Sequence, residues 1–329
     1  MDRRERVQAA LEGRRVDRVP YTLWRHFYYQ GQTAEGLAQA TVGFYQRYAP
    51  DLIVLTPGPF YMAEAWGADI RSFNTDDLAP YIVSPVVVRV SDWRRLPALE
   101  VATSSLRREI EAVCQVRARL GDDRVALVVP LYSPLMTADL LCAGRIIEDV
   151  RSFSNDLRSG LGIIATATAQ FALACIEAGA DGFLFTTNLA TTAKMRAREY
   201  RDFGQRFDLE VLGELKAAQI RILCLEGERL FFDLAEAYPV QAVCWETWRA
   251  DPSLVGAGRQ VRCTLMGGIN PTTFASGSVG DVRGQIADAI AQTGGWRFLL
   301  SPSGPLPPDS QSELLACIPG ILEELPGRP

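Results

Sequence analysis

Residues 160–187 read GLGIIATATAQFALACIEAGADGFLFTT, and this stretch decides the fold. Residues 160–178 form a long apolar run of helical length that stops at Gly179, a residue type that readily takes the left-handed conformation ending many helices. The apolar run 182–187 follows almost at once, and its length is typical of a strand covered on both faces. A helix that leads directly into such a strand indicates parallel α/β architecture.

Outward from this unit, the chain keeps alternating short apolar runs with helical segments. The predicted strands are 19–25, 51–56, 124–132, 182–187, 220–225, 242–246, 262–267 and 297–301. The predicted helices include 34–48, 104–120, 160–178, 281–292 and 310–322. Residues 82–90 are rich in valine and predict a small β excursion between the second and third strands.

Eight strands alternating with helices over 329 residues predict a closed (β/α)8 TIM barrel, with residues 1–329 forming a single domain. The rival architecture is a doubly wound open sheet. Such a sheet usually carries a glycine-rich phosphate loop early in the chain, and we find neither a G-x-G-x-x-G nor a Walker motif.

Composition and charge disfavour several classes of protein. The net charge of −5 gives no reason to expect nucleic-acid binding. No stretch approaches the roughly 20 apolar residues of a membrane-spanning helix, and the N-terminus lacks the apolar region of a secretory signal. The seven cysteines are scattered without a Cys-x-x-Cys pair, which indicates reduced thiols. We therefore expect a cytoplasmic protein.

Active sites of (β/α)8 barrels lie at the C-terminal ends of the strands, so residues that follow each strand are the functional candidates. Arg25 and His26, the only histidine in the chain, follow the first strand. Arginine offers a permanently charged fork for carboxylates, and histidine titrates near neutral pH. We predict that Arg25 binds a substrate carboxylate and that His26 is an acid/base residue. The alternative for His26 is a core histidine packed beneath aromatic residues.

Glu246 follows the sixth strand and lies among tryptophans. A carboxyl group in an apolar wall tends to have a raised pKa and can act as a general acid, so Glu246 is the third catalytic candidate. The alternative is a glutamate paired with an arginine. The substrate-binding candidates are Tyr61, Tyr132, Asn188, Trp245, Asn270 and Ser303. For Asn270, the alternative role is to shape the turn and cap the next helix.

Several segments resemble the uroporphyrinogen decarboxylase superfamily in their order and spacing. These segments are 6–13, 17–20, 51–53, 65–67, 133–138, 177–181, 268–271 and 304–307, so the resemblance covers essentially the whole chain. It implies a (β/α)8 barrel with an N-terminal helix, often a homodimer. It also implies one of two chemistries. Decarboxylases of the superfamily remove acetate carboxyl groups without a cofactor, whereas methyltransferases of corrinoid pathways bind zinc, which activates a thiol.

The chain departs from the decarboxylase pattern at four places. Of the Arg-Gln-Ala-Gly-Arg run after the first strand, only Arg25 is kept. Gly58 or a neighbour takes the place of an aspartate, Leu140 falls near the position of a tyrosine, and Ser303 replaces a histidine. These losses disfavour porphyrinogen decarboxylation.

The chain also departs from the zinc methyltransferases, which carry His-x-Cys after the fifth strand and a cysteine near the eighth. Here the corresponding residues are Cys224-Leu225-Glu226 and Ser303. Strand alternation places Cys224 and Glu226 on one face, and both are competent zinc ligands, with His26 or Glu246 as a third. The alternative is a buried cysteine next to a salt-bridged glutamate.

The sequence therefore predicts an enzyme that acts on a carboxylate-bearing small molecule, of decarboxylase or lyase type and without a cofactor. Its predicted catalytic residues are Arg25, His26 and Glu246. The first alternative is a zinc-dependent methyltransferase with a corrinoid protein as partner and with Cys224 and Glu226 as metal ligands. The second alternative is a non-catalytic ligand-binding barrel. We expect a homodimer that binds neither nucleic acid nor membranes.

Overall fold

A computed structural model describes residues 1–152 and 154–325. Its strands are β1 (Leu52–Val54), β2 (Asp69–Arg71), β3 (Tyr81–Ser84), β4 (Ala126–Tyr132), β5 (Gly182–Thr187), β6 (Ile220–Leu225), β7 (Ala242–Trp245), β8 (Thr264–Gly268) and β9 (Phe298–Ser301). Its α-helices are α1 (Arg3–Glu12), α2 (Ala34–Tyr48), α3 (Tyr61–Ala65), α4 (Leu106–Leu120), α5 (Pro134–Leu141), α6 (Ile146–Ser152), α7 (Ser154–Glu177), α8 (Ala197–Tyr200), α9 (Arg206–Glu214), α10 (Leu234–Ala237), α11 (Leu254–Gln260), α12 (Thr273–Ser276), α13 (Val279–Thr293), α14 (Ser312–Ala316) and α15 (Ile318–Glu324). Short 3₁₀ turns span Gln30–Gln32 and Val90–Arg95, and a π-helical turn spans Arg201–Gln205.

Seven of the nine described strands form a curled parallel sheet in the order β1-β4-β5-β6-β7-β8-β9. The predicted first strand, 19–25, is not a regular strand. Only Tyr21 and Thr22 pair, by single parallel bridges to Leu300 of β9 and Leu52 of β1, the two edge strands. The ladder stays this short because Pro20 has no N–H to donate and the Tyr21 N–H donates instead to a side chain, that of Asp51, at 3.0 Å.

The β excursion predicted over 82–90 is correct only in its first part. The strand β3 ends at Ser84, immediately before a proline, and pairs in antiparallel fashion with β2, which the sequence did not indicate. The segment that follows continues into a 3₁₀ turn over Val90–Arg95. Its valines therefore do not form the predicted strand.

The predicted helices agree with the structure in place but not always in length. The helix predicted over 160–178 begins at Ser154, and the one predicted over 310–322 is two helices, α14 and α15, with Pro319 at the start of the second. Gly179 has φ +113°, as expected of a helix terminator. The expectation that no segment is long and apolar enough to span a membrane is wrong for α7. More than half of its most apolar window is buried within the fold, where it packs against α5 and α9.

The buried apolar residues form two clusters, one between the sheet and the helices and one inside the curl of the sheet. The inner cluster includes Val7, Leu11, Leu52, Val54, Ala126, Val128, Leu184, Ile222, Cys224, Cys244, Met266 and Leu299. Val7 and Leu11 belong to α1, whose Ala10 carbonyl accepts a 2.9 Å hydrogen bond from the Thr264 hydroxyl at the start of β8. The helix α1 thus covers the N-terminal ends of the strands and leaves their C-terminal ends open.

Candidate active site

A cavity of about 570 Å³ opens at the C-terminal ends of the strands. This volume is within the range of ligand-binding pockets. Six residues predicted from the sequence line it, namely His26, Tyr132, Asn188, Glu226, Glu246 and Ser303. Five come from the ends of five different strands, and His26 comes from the segment that bridges β9 and β1. The curl of the sheet thus brings together residues that lie up to 277 positions apart in the chain, from His26 to Ser303.

Two glutamates from neighbouring strands form the polar centre of the cavity. In the parallel ladder Cys224 of β6 pairs with Cys244 of β7, and each strand continues with the same pattern, Cys-x-Glu. Residues two apart along a strand share a face, so the two thiols belong to the inner cluster and Glu226 and Glu246 lie above them in the cavity. This repeated Cys-x-Glu, twenty residues apart, is a signal that the sequence analysis missed.

The carboxylate of Glu246 is held in place by two donors. Its Oε2 accepts a 2.9 Å hydrogen bond from the backbone N–H of Gly227 and a 2.6 Å charge-assisted bond from Nη2 of Arg249. Arg249 also lies 3.5 Å from Glu228. The contacts of Glu246 are thus those of a glutamate paired with an arginine, the alternative considered for it.

Glu226 forms no such pair with the described residues, and its environment favours the protonated carboxyl group. Burial is the larger cause and the neighbouring Glu246 the second, and together they raise the pKa of Glu226 to about 7, against the opposing effect of Lys194 and Arg249. A carboxyl group with this pKa exchanges a proton at neutral pH. Glu226, predicted as a metal ligand, therefore has the properties of an acid/base residue.

The thiols beneath the two glutamates are not arranged as metal ligands. Cys224 lies in the inner apolar cluster and not in the lining of the cavity, and a hydrogen bond with Cys244 and burial raise its pKa well above the ordinary value. Among the residues that the structure describes, no three His, Cys, Asp or Glu side chains are grouped so that they could hold a metal ion. The donor set at Cys224 and Glu226 therefore does not fit zinc.

His26 lies at the edge of the cavity in a defined tautomer. Its Nδ1 is 2.8 Å from the carbonyl oxygen of Pro57, which can only accept, so Nδ1 carries the hydrogen and Nε2 is left as an acceptor. The ring stacks on Tyr28 with centroids 5.5 Å apart. Burial lowers the pKa of His26, so the ring is neutral at pH 7.

Two of the predicted residues have buried polar atoms without a hydrogen-bond partner in the described ranges. These atoms are the Ser303 hydroxyl oxygen and the Asn188 Oδ1. Ser303 is 1% exposed and has φ +60°, a conformation that non-glycine residues seldom adopt. Strained backbone and unpaired polar atoms are often found where a ligand completes the site.

Besides Cys224, four predicted residues do not line the cavity. Arg25 and Trp245 each immediately precede an inward-facing residue, so alternation turns their side chains outward. Arg25 donates to the carbonyl of Pro308 at 3.3 Å, and the Trp245 indole donates to that of Pro252 at 2.9 Å. The structure thus gives no support to Arg25 as the ligand of a substrate carboxylate.

The other two of these residues, Tyr61 and Asn270, make structural contacts. Tyr61 is buried beneath Tyr132, donates to the Pro130 carbonyl at 2.9 Å and borders a smaller neighbouring cavity. The Asn270 Oδ1 accepts from the backbone N–H of Thr272 at 3.0 Å. The contact of Asn270 fits the role of shaping the turn, which was the alternative predicted for this residue.

Sequence reasoning missed a cation and an apolar wall. Lysine occurs only twice among the 34 basic residues of the chain, and one of the two, Lys194, lies at the cavity without an ion-pair partner in the described ranges. The opposite wall is apolar and consists of Pro59, Phe60, Met136 and Leu140 together with the Tyr132 ring. Because almost all basic residues of the chain are arginines, the rarity of lysine could have drawn attention to Lys194. No sequence pattern indicated the apolar wall.

A parallel sheet flanked by helices, with a polar cavity at its strand ends, defines the class as an α/β protein with a candidate site in the usual place for this architecture. The chain belongs to the uroporphyrinogen decarboxylase (URO-D) family, whose sequence model matches residues 2–319. A methylcobamide:CoM methyltransferase, MtaA, of Methanosarcina barkeri is 21% identical over 248 residues, which cover 70% of this chain and 72% of that protein. The structure of a methyltransferase from Methanosarcina mazei is similar, with a TM-score of 0.86 and 19% identity over 98% of this chain and 99% of the other.

Proposed function

We propose that the protein is a methyltransferase that moves a methyl group between a methylated carrier and a small organic molecule bound in the cavity. The observation that supports this most is Glu226, a carboxyl group with a pKa of about 7 beside the anchored carboxylate of Glu246. Methyl transfer to a thiol or hydroxyl releases a proton, and Glu226 can take it up at neutral pH. The named relatives are methyltransferases, which favours this chemistry over the decarboxylation expected from the sequence.

The reaction balances with Glu226 as the proton acceptor. The bond between hydrogen and the acceptor atom of the small molecule breaks, and the proton goes to Glu226. The electron pair left on the acceptor atom forms the new bond to the methyl carbon. The bond from that carbon to the carrier breaks, and its electron pair stays on the carrier. In the reverse direction protonated Glu226 returns the proton to the leaving atom.

The charges of the cavity argue against a polycarboxylate such as a porphyrinogen. Its lining residues include three carboxyl groups, Glu226, Glu228 and Glu246, against two cations, Lys194 and Arg249. Arg249 is already engaged by Glu246 and Glu228. Only Lys194 is free for a substrate anion, so we propose that it replaces Arg25 as the ligand of a single anionic group.

We further propose a corrinoid protein as the methylated carrier, in line with the methylcobamide in the name of the M. barkeri relative. We propose no metal for the site, since proton uptake by Glu226 would take over the activation of the acceptor. The rest of the proposal is a single-domain cytoplasmic homodimer with a closed (β/α)8 barrel. Residues 21–22 would be the shortened eighth strand, since they bridge both edge strands.

The proposal is tested by anaerobic incubation with methylcobalamin and coenzyme M, followed by the absorbance change of demethylation. We expect enzyme-dependent demethylation and a methylated thiol as product. In Glu226→Gln the rate should fall by about two orders of magnitude, the usual contribution of a general base. Glu228→Gln, which removes a carboxyl group at the same cavity, is the matched control and should retain activity.

Two outcomes would overturn the proposal. Release of carbon dioxide from a carboxylate substrate, with no methyl transfer to any thiol or phenol, would restore the lyase prediction. Saturable binding of such molecules without any product, in the presence of a methylated corrinoid donor, would favour the non-catalytic barrel.

A further inference from the structure

A second large cavity lies at the opposite end of the strands from the candidate active site. Its volume is about 530 Å³, and it lies between α11 and α13, beside the N-terminal ends of β8 and β9. The candidate active site lies at the C-terminal ends of the same strands. Strands of four or five residues separate the two by roughly 15 Å at about 3.3 Å per residue. We call this second cavity the arginine groove, after Arg259, Arg262 and Arg297 in its lining.

The arginine groove is positively charged in a protein whose net charge is −5. Arg259, Arg262 and Arg297 all line it, and none of them forms an ion pair with a side chain in the described ranges. No aspartate or glutamate is among its lining residues. Three like charges around one concave surface repel one another, and a bound anion would relieve that repulsion.

The rim of the groove includes an aromatic surface that is fixed in orientation. Trp296 is 58% exposed, yet its indole N–H donates to the carbonyl oxygen of Gly13 at 3.1 Å. The Arg297 guanidinium lies 5.1 Å from the centroid of the Trp296 ring and donates to the carbonyl of Arg262 at 2.9 Å. A Cβ atom on Gly13 would come within 2.5 Å of the Arg297 side chain, so any larger residue there would displace the guanidinium from this position. The ring and the cation are therefore held in place before any ligand arrives.

The floor of the groove is apolar. It is formed by the buried side chains of Leu254, Val261 and Leu265, with Val255 at its side 40% exposed. An inorganic anion would leave this surface in contact with water. An apolar floor below an exposed indole and three guanidinium groups suits a molecule with a flat apolar body and an anionic group.

We propose that the arginine groove binds a small aromatic anion, a planar ring system carrying a sulfonate, carboxylate or phosphate. The anionic group lies among the guanidinium groups of Arg259, Arg262 and Arg297, and the ring lies against Trp296 and the apolar floor. The site is distinct from the cavity proposed for methyl transfer and does not depend on that function.

Calorimetric titration of the full-length protein with naphthalene-2-sulfonate tests this proposal. The expected result is saturable binding of one molecule per chain, with much weaker binding of the uncharged naphthalene-2-sulfonamide. In the double variant R259Q/R262Q the affinity should fall about tenfold or more, because charge-assisted contacts are lost. Arg198→Gln, a substitution of a highly exposed arginine on α8, is the matched control and should bind like the wild type.

Three results would overturn the proposal. In the first, R259Q/R262Q binds the sulfonate with unchanged affinity. In the second, binding is abolished by Lys194→Gln, which would place the probe in the candidate active site. In the third, sulfate displaces the probe and has the same affinity as naphthalene-2-sulfonate, which would show that the groove recognises the charge alone. Trp296→Phe gives an independent check, since it should weaken the aromatic sulfonate without altering the fold.

Discussion

At the scale of single residues, the site depends on which of two neighbouring side chains faces inward. Arg25 and His26 were equally plausible from the sequence, but alternation allows only one of them to reach the cavity. The structure turns His26 inward and directs Arg25 to the Pro308 carbonyl. Glu226 and Glu246 also differ in a local contact, because in the described ranges only Glu246 accepts a hydrogen bond from an arginine. Burial and the neighbouring Glu246 raise the pKa of Glu226 to about 7, and no hydrogen-bonded arginine in the described ranges offsets them.

The pH dependence of methyl transfer should follow the ionisation of Glu226. The base must be ionised to accept a proton, so activity in the acceptor-methylating direction should rise with pH and level off above about pH 7. The raised pKa places the rising part of the pH–rate profile above the ordinary pKa range of a glutamate. A pH–rate profile of kcat/KM under saturating donor is the measurement. A limb near pH 4.5 would show that Glu226 is not perturbed as described.

The two lysines of the chain allow a direct test of Lys194 as the ligand of a substrate anion. Acetylation of the native protein by an N-hydroxysuccinimide ester, followed by peptide mass spectrometry, reports Lys194 and Lys216 side by side. We expect coenzyme M, which carries a sulfonate, to slow the acetylation of Lys194 and to leave that of Lys216 unchanged. Equal rates with and without coenzyme M at Lys194 would argue against an anion at this position.

At the scale of secondary-structure elements, the register of β6 and β7 decides the chemistry. Because Cys224 pairs with Cys244, the two Cys-x-Glu motifs are level and their carboxyl groups influence each other. A slip of one residue would turn one motif toward the helices. Behind β5, the buried Asp208 of α9 accepts hydrogen bonds from the hydroxyl groups of Tyr200 at 2.8 Å and Tyr238 at 2.6 Å. It links α8, α9 and the end of α10 without a cationic partner in the described ranges.

Asp208 should make the stability of the fold depend on pH. Burial raises its pKa from 3.8 to about 7, so the folded protein keeps a proton that the unfolded chain has released. The free energy of unfolding should therefore fall as pH rises from about 4 to 7, by at most about 1.4 kcal/mol per pH unit for this group. In Asp208→Asn this part of the slope should disappear. Urea titrations of both proteins at pH 5 and pH 7.5 measure the free energy of unfolding. The same change in this free energy between the two pH values in both proteins would contradict the prediction.

At the scale of the whole molecule, the N-terminal segment holds the curled sheet together. Asp51 is 0% exposed and joins three parts of the chain, with Arg6 of α1 at 2.6 Å, Arg18 at 2.6 Å and the backbone N–H of Tyr21 at 3.0 Å. It thereby fixes both the helix that covers the N-terminal end of the sheet and the segment that bridges β9 and β1. The cavity at the other end keeps its shape only while the sheet stays curled.

Loss of the Asp51 charge should destabilise the protein as a whole. Asp51→Asn leaves the half-buried Arg18 without its anion and removes one of the two carboxylate partners of Arg6, which keeps Asp17. Breaking a buried pair of this kind costs about 3–5 kcal/mol. Asp233→Asn is the control, because its pair with Arg201 is exposed at 3.5 Å and its loss should cost less than about 1 kcal/mol. Equilibrium unfolding in urea compares the two. Equal effects of the two substitutions would show that Asp51 does not hold the N-terminal segment in place.

The metal content of the protein should distinguish this chain from a zinc methyltransferase. Because Cys224 lies in the inner apolar cluster and no three potential ligands are grouped in the described ranges, we expect far less than one zinc per chain in protein purified without chelator or affinity metal. Elemental analysis is the measurement, repeated on Cys224→Ser. Stoichiometric zinc that is lost in Cys224→Ser would contradict the interpretation of the thiol pair.

By itself the sequence predicted the order of most strands of the parallel sheet and of several helices, because apolar periodicity and helix stop signals act over a few residues. The β5 and β6 strands and the helix α2 were predicted with their observed bounds. It also predicted His26, Tyr132, Asn188, Glu226, Glu246 and Ser303 as site residues at strand ends, and all six line the cavity. The predicted family is confirmed by the match of residues 2–319 to the uroporphyrinogen decarboxylase model.

Only the tertiary structure decided which of these residues share a cavity and which of them titrate. Sheet curvature and strand register bring Ser303 toward His26 across 277 positions, and no local pattern encodes that approach. Tertiary packing buries Glu226 beside Glu246 while Arg249 engages only one of them. The pKa of a carboxyl group depends on its solvation and on neighbouring charges, and both are fixed only when the chain has folded.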